Sequence, residues 1–155
     1  MPRILPILAV LIILSVINDP YTPLPTLHSA PVRQDEQAEV RSLVKRYISN
    51  FNRRDADGIL DLYSPDARVS VSGLSSRQWV DVEEYAPKLE EKLARHDESG
   101  TYITDFEMER LEFQDGTAEV DISLRFKQGV FSVTRSGSFE LAQKDGGWKI
   151  VVDDF

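Results

Sequence analysis

The sequence predicts an α+β domain in which three N-terminal helices pack in the concave face of a strongly bent, mostly antiparallel sheet. In the first part of this domain, apolar residues recur every three or four positions, which is typical of amphipathic helices. After residue 100 they alternate with polar residues, which is typical of strands that bury one face. Short turn sequences separate these strands, so we expect strands that are adjacent in the chain to pair as a meander.

An apolar segment precedes this domain. Residues 4–17 carry no charge and would span roughly 21 Å as a helix, which suits the hydrophobic region of a signal peptide or a short membrane anchor. Arg3 before the segment and Asp19 after it favour a cytoplasmic N-terminus, with the rest of the chain outside the cytoplasm. Cleavage and anchoring both stay open, because the best cleavage position, after Ala30, is followed directly by Pro31.

The composition of the chain changes sharply near residue 33. Six of the eight prolines precede residue 32, and four of them predict a semi-rigid, extended linker: Pro20, Pro23, Pro25 and Pro31. We therefore divide the chain into a signal peptide or membrane anchor (1–17), a proline-rich linker (18–34) and a folded domain (35–155).

The folded domain begins with two predicted helices. The first runs from Glu36 to Arg53 behind the N-cap candidate Asp35. Its apolar stripe consists of Val40, Leu43, Val44, Tyr47, Ile48 and Phe51. The second helix is short and begins after Asp55. It ends at the sequence Ser64-Pro65-Asp66, because proline cannot continue a helix.

One strand separates the second helix from the third. Residues 67–71 alternate between apolar and polar side chains and predict this strand, and a polar loop over 73–78 follows it. Asp81 and Glu84 form a capping box that opens the third helix. Pro87 inside this helix predicts a kink or a later start.

Four strands complete the domain as a meander. The first, over 102–113, changes its apolar phase, so we expect a β-bulge near Glu109. The second alternates strictly over 118–126, and the remaining two cover 131–141 and 148–153. Turns rich in glycine connect these strands.

The run from Arg46 to Val71, RYISNFNRRDADGILDLYSPDARVSV, resembles the opening of the nuclear transport factor two-like superfamily. It is closest in style to the SnoaL-like and ketosteroid isomerase-like branches. The run GGWKIVV at 146–152 resembles the closing strand of SnoaL-like members. The resemblance covers residues 35–155. It implies a cone-shaped, cystatin-like fold with an apolar pocket between sheet and helices, and frequent dimerisation through the outer face of the sheet.

The resemblance also implies where an isomerase would hold its catalytic groups. The tyrosine that donates a hydrogen bond to the developing oxyanion matches Tyr47, whereas the aspartate base falls on Val71 and the second acid donor falls on Gly137. Val71 cannot accept a proton, and Gly137 has no side chain. We therefore expect no proton abstraction from a ketosteroid, and the catalytic residues stay unknown.

The pocket candidates are residues in the apolar phases of elements that would face one enclosed space, together with a cation and aromatic residues near the expected mouth. They are Tyr47, Phe51, Val71, Trp79, Tyr85, Phe106, Met108, Ile122, Leu124, Phe131, Arg135 and Phe139. Arg135 suits an anionic ligand if it points inward, and a strand bend would turn it outward. Trp79 and Tyr85 either gate the cavity or pack a helix against the sheet. The other aromatic residues, with Tyr47, either contact a ligand or fill the cone.

Few carboxylates are candidates for acid–base chemistry. Asp153 and Asp154 would supply a general base only if one of them faced the cavity, and we expect an exposed polar terminus instead. Asp105 with Arg125 or Arg135 is the candidate for the Asp–Arg–Asp set of limonene epoxide hydrolase-like members. The strand phase does not bring these residues together.

Charge and composition exclude several classes of function. Eighteen basic and 26 acidic residues give a net charge of −8, which argues against a nucleic acid partner. The absence of cysteine and the presence of only two histidines exclude Cys-ligated zinc, iron–sulfur clusters and His-rich metal sites. We expect no metal and no cofactor.

Three functions fit the sequence. The favoured interpretation is an exported or membrane-anchored SnoaL-like domain that is not catalytic and binds a small apolar ligand or a protein partner. One alternative is a small-molecule enzyme of the cyclase, dehydratase or hydrolase type, with a pocket acid that the sequence does not place. The other is an assembly subunit of an envelope complex. The small polar residues on the outer face of the sheet fit either a homodimer interface or a solvated surface.

Overall fold

The computed structural model describes residues 33–72 and 77–155, so the predicted signal peptide or anchor lies outside the described residues. In chain order the elements are α1 (Arg33–Arg53), α2 (Ala56–Leu60), β1 (Tyr63–Ser72), β2 (Arg77–Asp81), α3 (Val82–Glu98), β3 (Tyr102–Gln114), β4 (Thr117–Gln128), β5 (Phe131–Lys144) and β6 (Gly147–Asp154). Within the described ranges, no helix is long and apolar enough to cross a membrane.

All six strands belong to one sheet, in the order β2-β1-β6-β5-β4-β3. Strands β3 to β6 form the predicted antiparallel meander, and β1 pairs antiparallel with β2. The pairing of β1 with β6 is parallel, so the last strand of the chain lies beside the first. The predicted class, helices on a curved and mostly antiparallel sheet, is confirmed.

One face of the sheet packs against the helices, and we call it the inner face. Buried positions alternate along β4, where Val120, Ile122 and Leu124 are at most 1% exposed. The helices contribute fully buried side chains to the same core, among them Leu43 on α1 and Leu89 on α3. We call the opposite face, which the helices do not cover, the outer face.

Several local predictions are confirmed. Asp81 is the N-cap of α3, and its carboxylate accepts a hydrogen bond from the backbone N–H of Glu84 at 2.8 Å. The register between β3 and β4 shifts between Met108 and Arg110, where the apolar phase predicts a bulge. The same hairpin turns through Gly116, whose φ of 79° lies in the left-handed region that glycine adopts without strain.

The structure differs from the sequence prediction at two prolines and one loop. Pro65 lies inside β1 rather than at the end of a helix, because the pairing of β1 with β6 is irregular there and a missing N–H is tolerated. Pro87 lies in the second turn of α3, which already begins at Val82, so the alternative of a later helix start is wrong. Part of the predicted loop 73–78 belongs to β2, in which only Val80 is buried, so this short edge strand shows no apolar alternation.

Candidate functional site

Three tyrosines and one aspartate meet in the core where α1, α3, β1 and β6 come together. Tyr47 comes from α1, Tyr63 from β1, Tyr85 from α3 and Asp153 from β6, and each is at most 4% exposed. The Tyr63 hydroxyl donates a hydrogen bond to Asp153 Oδ2. The centroids of the Tyr63 and Tyr85 rings are 5.9 Å apart. We call these four residues the Asp153 cluster.

A register shift in the sheet turns Asp153 inward. Ile150 lies opposite Leu141 and Asp153 lies opposite Phe139, so β6 contains one residue more than β5 over this stretch. Strict alternation from Ile150 would send Val152 inward and Asp153 outward. The expectation of an exposed Asp153 is therefore wrong, because a one-residue bulge reverses the face and the apolar pattern does not reveal it.

The environment of Asp153 makes it a weak acid with one free oxygen. Burial raises the pKa of its carboxyl group from 3.8 to about 6, and the neighbouring Asp154 carboxylate adds to this shift. The hydrogen bond from Tyr63, the ammonium group of Lys92 and the backbone N–H of Phe155 oppose it. Among the described residues, buried Asp153 Oδ1 has no hydrogen-bond partner. A carboxylate with a pKa near 6 and a free oxygen can accept a proton at neutral pH and return it.

The three tyrosines stay protonated at neutral pH. Burial is the largest cause that raises the pKa values of Tyr47, Tyr63 and Tyr85, and the Asp153 carboxylate raises all three further. Hydrogen bonding with the Tyr63 hydroxyl opposes the shift at Tyr47 and at Tyr85. The three hydroxyl groups and the carboxylate therefore form one buried polar network, in which the tyrosines remain hydrogen-bond donors at neutral pH.

The Asp153 carboxylate lies near the position at which the resemblance places an isomerase base. In the parallel pairing of β1 with β6, Val69 lies opposite Asp153, and Val71 follows two residues later on the same face. The neighbouring strand thus places a carboxylate on the same face of the sheet as Val69 and Val71. Gly137, the counterpart of the second donor, lies under an aromatic ring, since a Cβ at Gly137 would be 2.3 Å from Phe155 Cδ2.

Half of the twelve predicted pocket residues are buried in the core: Tyr47, Phe51, Tyr85, Ile122, Leu124 and Phe139. Tyr47 and Tyr85 belong to the Asp153 cluster, and the Phe139 ring contacts the Tyr47 ring at a centroid distance of 5.4 Å. Three more are half-buried and pack against the core, namely Val71, Phe106 and Met108. Much of the cone interior is therefore filled by its own aromatic side chains.

The remaining three predicted pocket residues are exposed. Phe131 is 77% exposed at the start of β5, so the expectation that it faces an enclosed space is wrong. Trp79 is 42% exposed, and its ring lies 5.5 Å from the guanidinium carbon of Arg68. Arg135 occupies an inner-face position opposite Leu124 and is exposed. The twelve residues therefore do not line one enclosed space.

Two members of the site region were not among the sequence candidates. Tyr63 was predicted to belong to the second helix, whereas β1 begins at this residue. Lys92 lies on the face of α3 that carries Tyr85 and Leu89. A lysine within this apolar stripe is the sequence feature from which its place in the site region could have been predicted. Burial lowers the pKa of Lys92, and the Asp153 carboxylate opposes that shift.

An open groove of about 450 Å³ lies elsewhere on the sheet. Its lining includes Glu112, Glu119 and Glu140, which stand side by side on β3, β4 and β5. No residue of the Asp153 cluster lines it. In the part of the chain that the structure describes, no group of three or more histidine, aspartate or glutamate side chains could hold a metal ion. The Asp153 cluster is thus the candidate site that combines burial with titratable groups.

Several solved structures share the fold. An NTF2-like protein of unknown function from Shewanella oneidensis MR-1 has a TM-score of 0.64 at 16% identity, over 76% of this chain and 96% of that chain. An NTF2-like protein with a cystatin-like fold from Novosphingobium aromaticivorans has a TM-score of 0.62 at 14% identity, over 77% and 79%. A domain of unknown function with a cystatin-like fold from Nostoc punctiforme PCC 73102 has a TM-score of 0.62 at 15% identity, over 77% and 75%. At these identities the likeness shows the fold alone.

A family match covers most of the chain. The comparison with curated proteins gives no match. The family described as NTF2-like protein (DUF6841) matches residues 35–152, a range that includes part or all of every helix and strand. The superfamily that the sequence resembles is therefore confirmed, and the chain belongs to the NTF2-like family DUF6841.

Proposed function

We propose that the domain is a small-molecule enzyme in which Asp153 takes up and returns a proton. The observation that carries this proposal is the buried carboxylate itself, with Oδ2 bonded to Tyr63 and Oδ1 without a partner among the described residues. Leaving a buried acceptor unsatisfied costs about 1–3 kcal/mol, so native cores rarely do it without a function. The free oxygen is the position that would accept a proton from a substrate.

The reaction class that suits the cluster is proton abstraction from a carbon atom next to a carbonyl group. Asp153 accepts the proton at Oδ1, and the electron pair of the broken C–H bond moves onto the carbonyl oxygen. Tyr47 and Tyr85, whose hydroxyl groups stay protonated, donate hydrogen bonds toward that oxygen. Asp153 then returns the proton to carbon or to a leaving oxygen, which restores the carboxylate.

We therefore favour the alternative in which the domain is a small-molecule enzyme with a pocket acid over the interpretation in which it binds a ligand or a protein partner without catalysis. Val71 and Gly137 still argue against the ketosteroid reaction in the form that the resemblance implies. Asp153, beside Val69, supports an acid–base site because it brings a carboxylate to the same face of the sheet. The convergence of this carboxylate, the Lys92 ammonium and three tyrosine hydroxyls in one buried region supports an enzyme further.

The test measures exchange of carbon-bound hydrogen in D₂O for a panel of small ketones, aldehydes and esters, followed by NMR spectroscopy. The wild-type protein should accelerate deuterium incorporation into at least one compound. Asp153→Asn should slow this exchange by about 10²- to 10⁴-fold, the usual contribution of a general base. The rate should rise with pH through about 6, where Asp153 ionises. Tyr63→Phe should move that rise to higher pH, because the Tyr63 hydrogen bond lowers the pKa of Asp153.

Asp154→Asn is the matched control for this experiment. Asp154 is the next residue in the chain, and its Oδ1 pairs with Arg77 Nη1 at 2.7 Å. Its charge also raises the pKa of Asp153, as a smaller cause than burial, so the control should keep the wild-type rate well above pH 6 while the rise moves to lower pH. Equal rates in Asp153→Asn and wild type would contradict the proposal. Binding of a compound without any protein-dependent exchange would favour the non-catalytic, ligand-binding interpretation.

We also propose that the folded domain works outside the cytoplasm, either anchored by residues 1–17 or released from them. The uncharged segment 4–17, with Arg3 before it and Asp19 after it, supports this orientation. A reporter enzyme that is active only outside the cytoplasm should be active when fused after Phe155. An intact but inactive fusion would contradict the proposal, and N-terminal sequencing separates cleavage from anchoring.

A further inference from the structure

The turn between β4 and β5 carries the most exposed large apolar side chains of the residues that the structure describes. Val130 in the turn is 91% exposed, Phe131 beside it is 77% exposed, and Val133 is 53% exposed. We call residues 127–133 the hairpin tip. Apolar side chains that lie together on a surface in this way mark a contact with a partner rather than a part of the core.

The hairpin tip extends past the elements that cover the rest of the sheet. Val133 pairs with Phe126, whose buried ring stacks on His96 near the end of α3 at a centroid distance of 6.2 Å. Strand β6 pairs with β5 only from Ser138 onward. The pairing of β4 with β5 has no register shift up to the turn, so the hairpin holds its apolar side chains in a fixed position.

The formation of the turn does not require these apolar residues. The other two hairpins of the meander turn through Asp115-Gly116 and Asp145-Gly146, which are usual residues for tight turns. The turn between β4 and β5 has the glycine, since Gly129 has a φ of 57°, but Val130 follows it. The valine therefore serves a purpose other than the turn itself.

Cations flank the hairpin tip although the chain as a whole has a net charge of −8. Residues 122–139 include Arg125, Lys127 and Arg135 and no acidic residue, and all three cations are exposed. Arg125 and Lys127 occupy outer-face positions and Arg135 an inner-face position. Among their partners in the described sheet, only Asp105, opposite Arg125, is acidic. The three cations lie about 7 to 16 Å behind the turn along the strands.

We propose that the hairpin tip docks on an anionic lipid surface. Val130 and Phe131 enter the boundary between the head groups and the acyl chains, to which amphipathic segments penetrate by about 5–10 Å. The cations behind them then lie at the level of the lipid phosphate groups and are attracted to them. Tyr102 is exposed beside Lys127, and its amphipathic ring suits the same boundary. This docking does not depend on proton transfer at Asp153.

The size and charge of the hairpin tip favour a lipid surface over a protein partner. A stable protein interface buries about 800 Å² on each partner and involves roughly 20–30 residues a side. The exposed apolar set at this end of the sheet consists of four side chains, namely Tyr102, Val130, Phe131 and Val133. A bilayer needs only shallow insertion and attracts cations on both faces of the hairpin, whereas a protein partner would cover one face.

The test uses an environment-sensitive fluorophore, NBD, attached to a single cysteine of the full chain. The sequence contains no cysteine, so Gln128→Cys gives one label at the hairpin tip. Gln114→Cys is the matched control, because Gln114 is also exposed at the last position of a strand, beside the turn between β3 and β4. The fluorescence reports the surroundings of the label alone, so insertion of residues 4–17 into a vesicle does not imitate the expected signal.

Vesicles of phosphatidylcholine mixed with phosphatidylglycerol supply the anionic surface. With these vesicles, emission of the label at position 128 should shift to shorter wavelength, and spin-labelled lipid should quench it. The label at position 114 should show neither change. With phosphatidylcholine alone, the ratio of inserted to free tip should fall by about tenfold or more, and added salt should lower the ratio on anionic vesicles.

Further variants of the labelled protein separate the apolar contribution from the charge. Val130→Ser combined with Phe131→Ser should abolish the shift and the quenching. Lys127→Gln and Arg135→Gln should each lower the ratio of inserted to free tip by about fivefold, the usual effect of one cation near an anionic membrane. Lys45→Gln removes an exposed lysine of α1 and should keep the full response. Melting temperatures without vesicles show that each variant is folded.

Several outcomes would overturn the proposal. Unchanged emission at position 128 on anionic vesicles, equal responses at positions 128 and 114, or a response that survives the two serine substitutions would exclude docking through the hairpin tip. Equal insertion into neutral and anionic vesicles would exclude a role of the cations. A shift that needs no vesicles and grows with protein concentration would show that the hairpin tip contacts a second copy of the chain instead of lipid.

Discussion

Carboxyl groups on the two faces of the sheet have pKa values that are shifted in opposite directions. On the inner face, burial raises the pKa of Asp153 to about 6. On the outer face, Arg110 Nη2 lies 2.8 Å from Glu112 Oε2 and 3.5 Å from Glu119 Oε2, and its hydrogen bond lowers the pKa of Glu112. Exposed carboxylates with a cationic partner stay ionised and contribute little to stability. The comparison shows that burial, rather than the residue type, brings the pKa of a carboxyl group close to neutral pH.

The largest expected effect of this difference is on the pH dependence of stability. Because the pKa of Asp153 rises from 3.8 to about 6 on folding, the folded state binds this proton more tightly than the unfolded chain does. The contribution of Asp153 to the free energy of unfolding therefore falls by about 3 kcal/mol as the pH rises from about 4 to above 6. Asp153→Asn should resemble wild type near pH 4 and be more stable by up to about 3 kcal/mol near pH 8.

Urea unfolding of the two proteins at about pH 4, 6 and 8 measures this difference. Comparison at each pH cancels the contributions of other carboxylates. Asp66 is one of these, since hydrogen bonds from Lys144 and then Ser64 lower its pKa to about 2. Asp154→Asn should show a smaller pH-dependent gain, because the Asp154 charge is only one of the lesser causes that raise the pKa of Asp153. A constant difference between Asp153→Asn and wild type at every pH would contradict a raised pKa.

The second effect concerns the close approach at Gly137 on the inner face. A Cβ at this position meets Phe155 Cδ2 at 2.3 Å and the backbone oxygen of Asp154 at 2.7 Å. Gly137→Ala should therefore lower the free energy of unfolding by about 1–3 kcal/mol, as overpacking usually does. Gly147→Ala is the control, because nothing lies within 4 Å of a Cβ there.

Thermal unfolding compares these glycine variants. Adding Phe155→Ala to Gly137→Ala should restore part of the lost stability, because it removes the ring contact and leaves the backbone contact in place. If Gly137→Ala and Gly147→Ala unfolded at the same temperature, the Phe155 ring would not lie on the strand as described.

The sequence predicts the fold better than the site, for a reason that β4 and β6 illustrate. The fold depends on many apolar positions, such as the strict alternation over 118–126, so one missed edge strand does not change the class. The site depends on the direction of single side chains. Asp153 faces inward because of a bulge that arises from pairing between strands, which local alternation does not encode. The sequence prediction places Tyr63 in the second helix because it interprets Pro65 as the end of that helix. In the structure, both residues belong to strand β1.

The smallest effect on folding is expected on the outer face, whose sequence fits either a homodimer interface or a solvated surface. Its outward positions on β4 and β5 are Asp121, Ser123, Arg125, Lys127, Ser132, Thr134, Ser136 and Ser138. The Ser123 and Ser136 hydroxyls are 2.6 Å apart near the middle of this surface, and the short side chains allow a second copy to approach about a twofold axis. Ser136→Arg should change the free energy of unfolding by less than about 0.5 kcal/mol.

The same substitution should have a clear effect on assembly. An arginine at the centre of a twofold interface meets its own copy, so light scattering should show a dimer for the wild-type chain and a monomer for Ser136→Arg. Ser99→Arg adds the same charge at the C-cap of α3, outside the predicted interface, and should remain dimeric. A wild-type monomer at high micromolar concentration would leave the outer face as a solvated surface. A dimer in both arginine variants would place the contact elsewhere, because two arginines brought together at the centre of this face would repel each other.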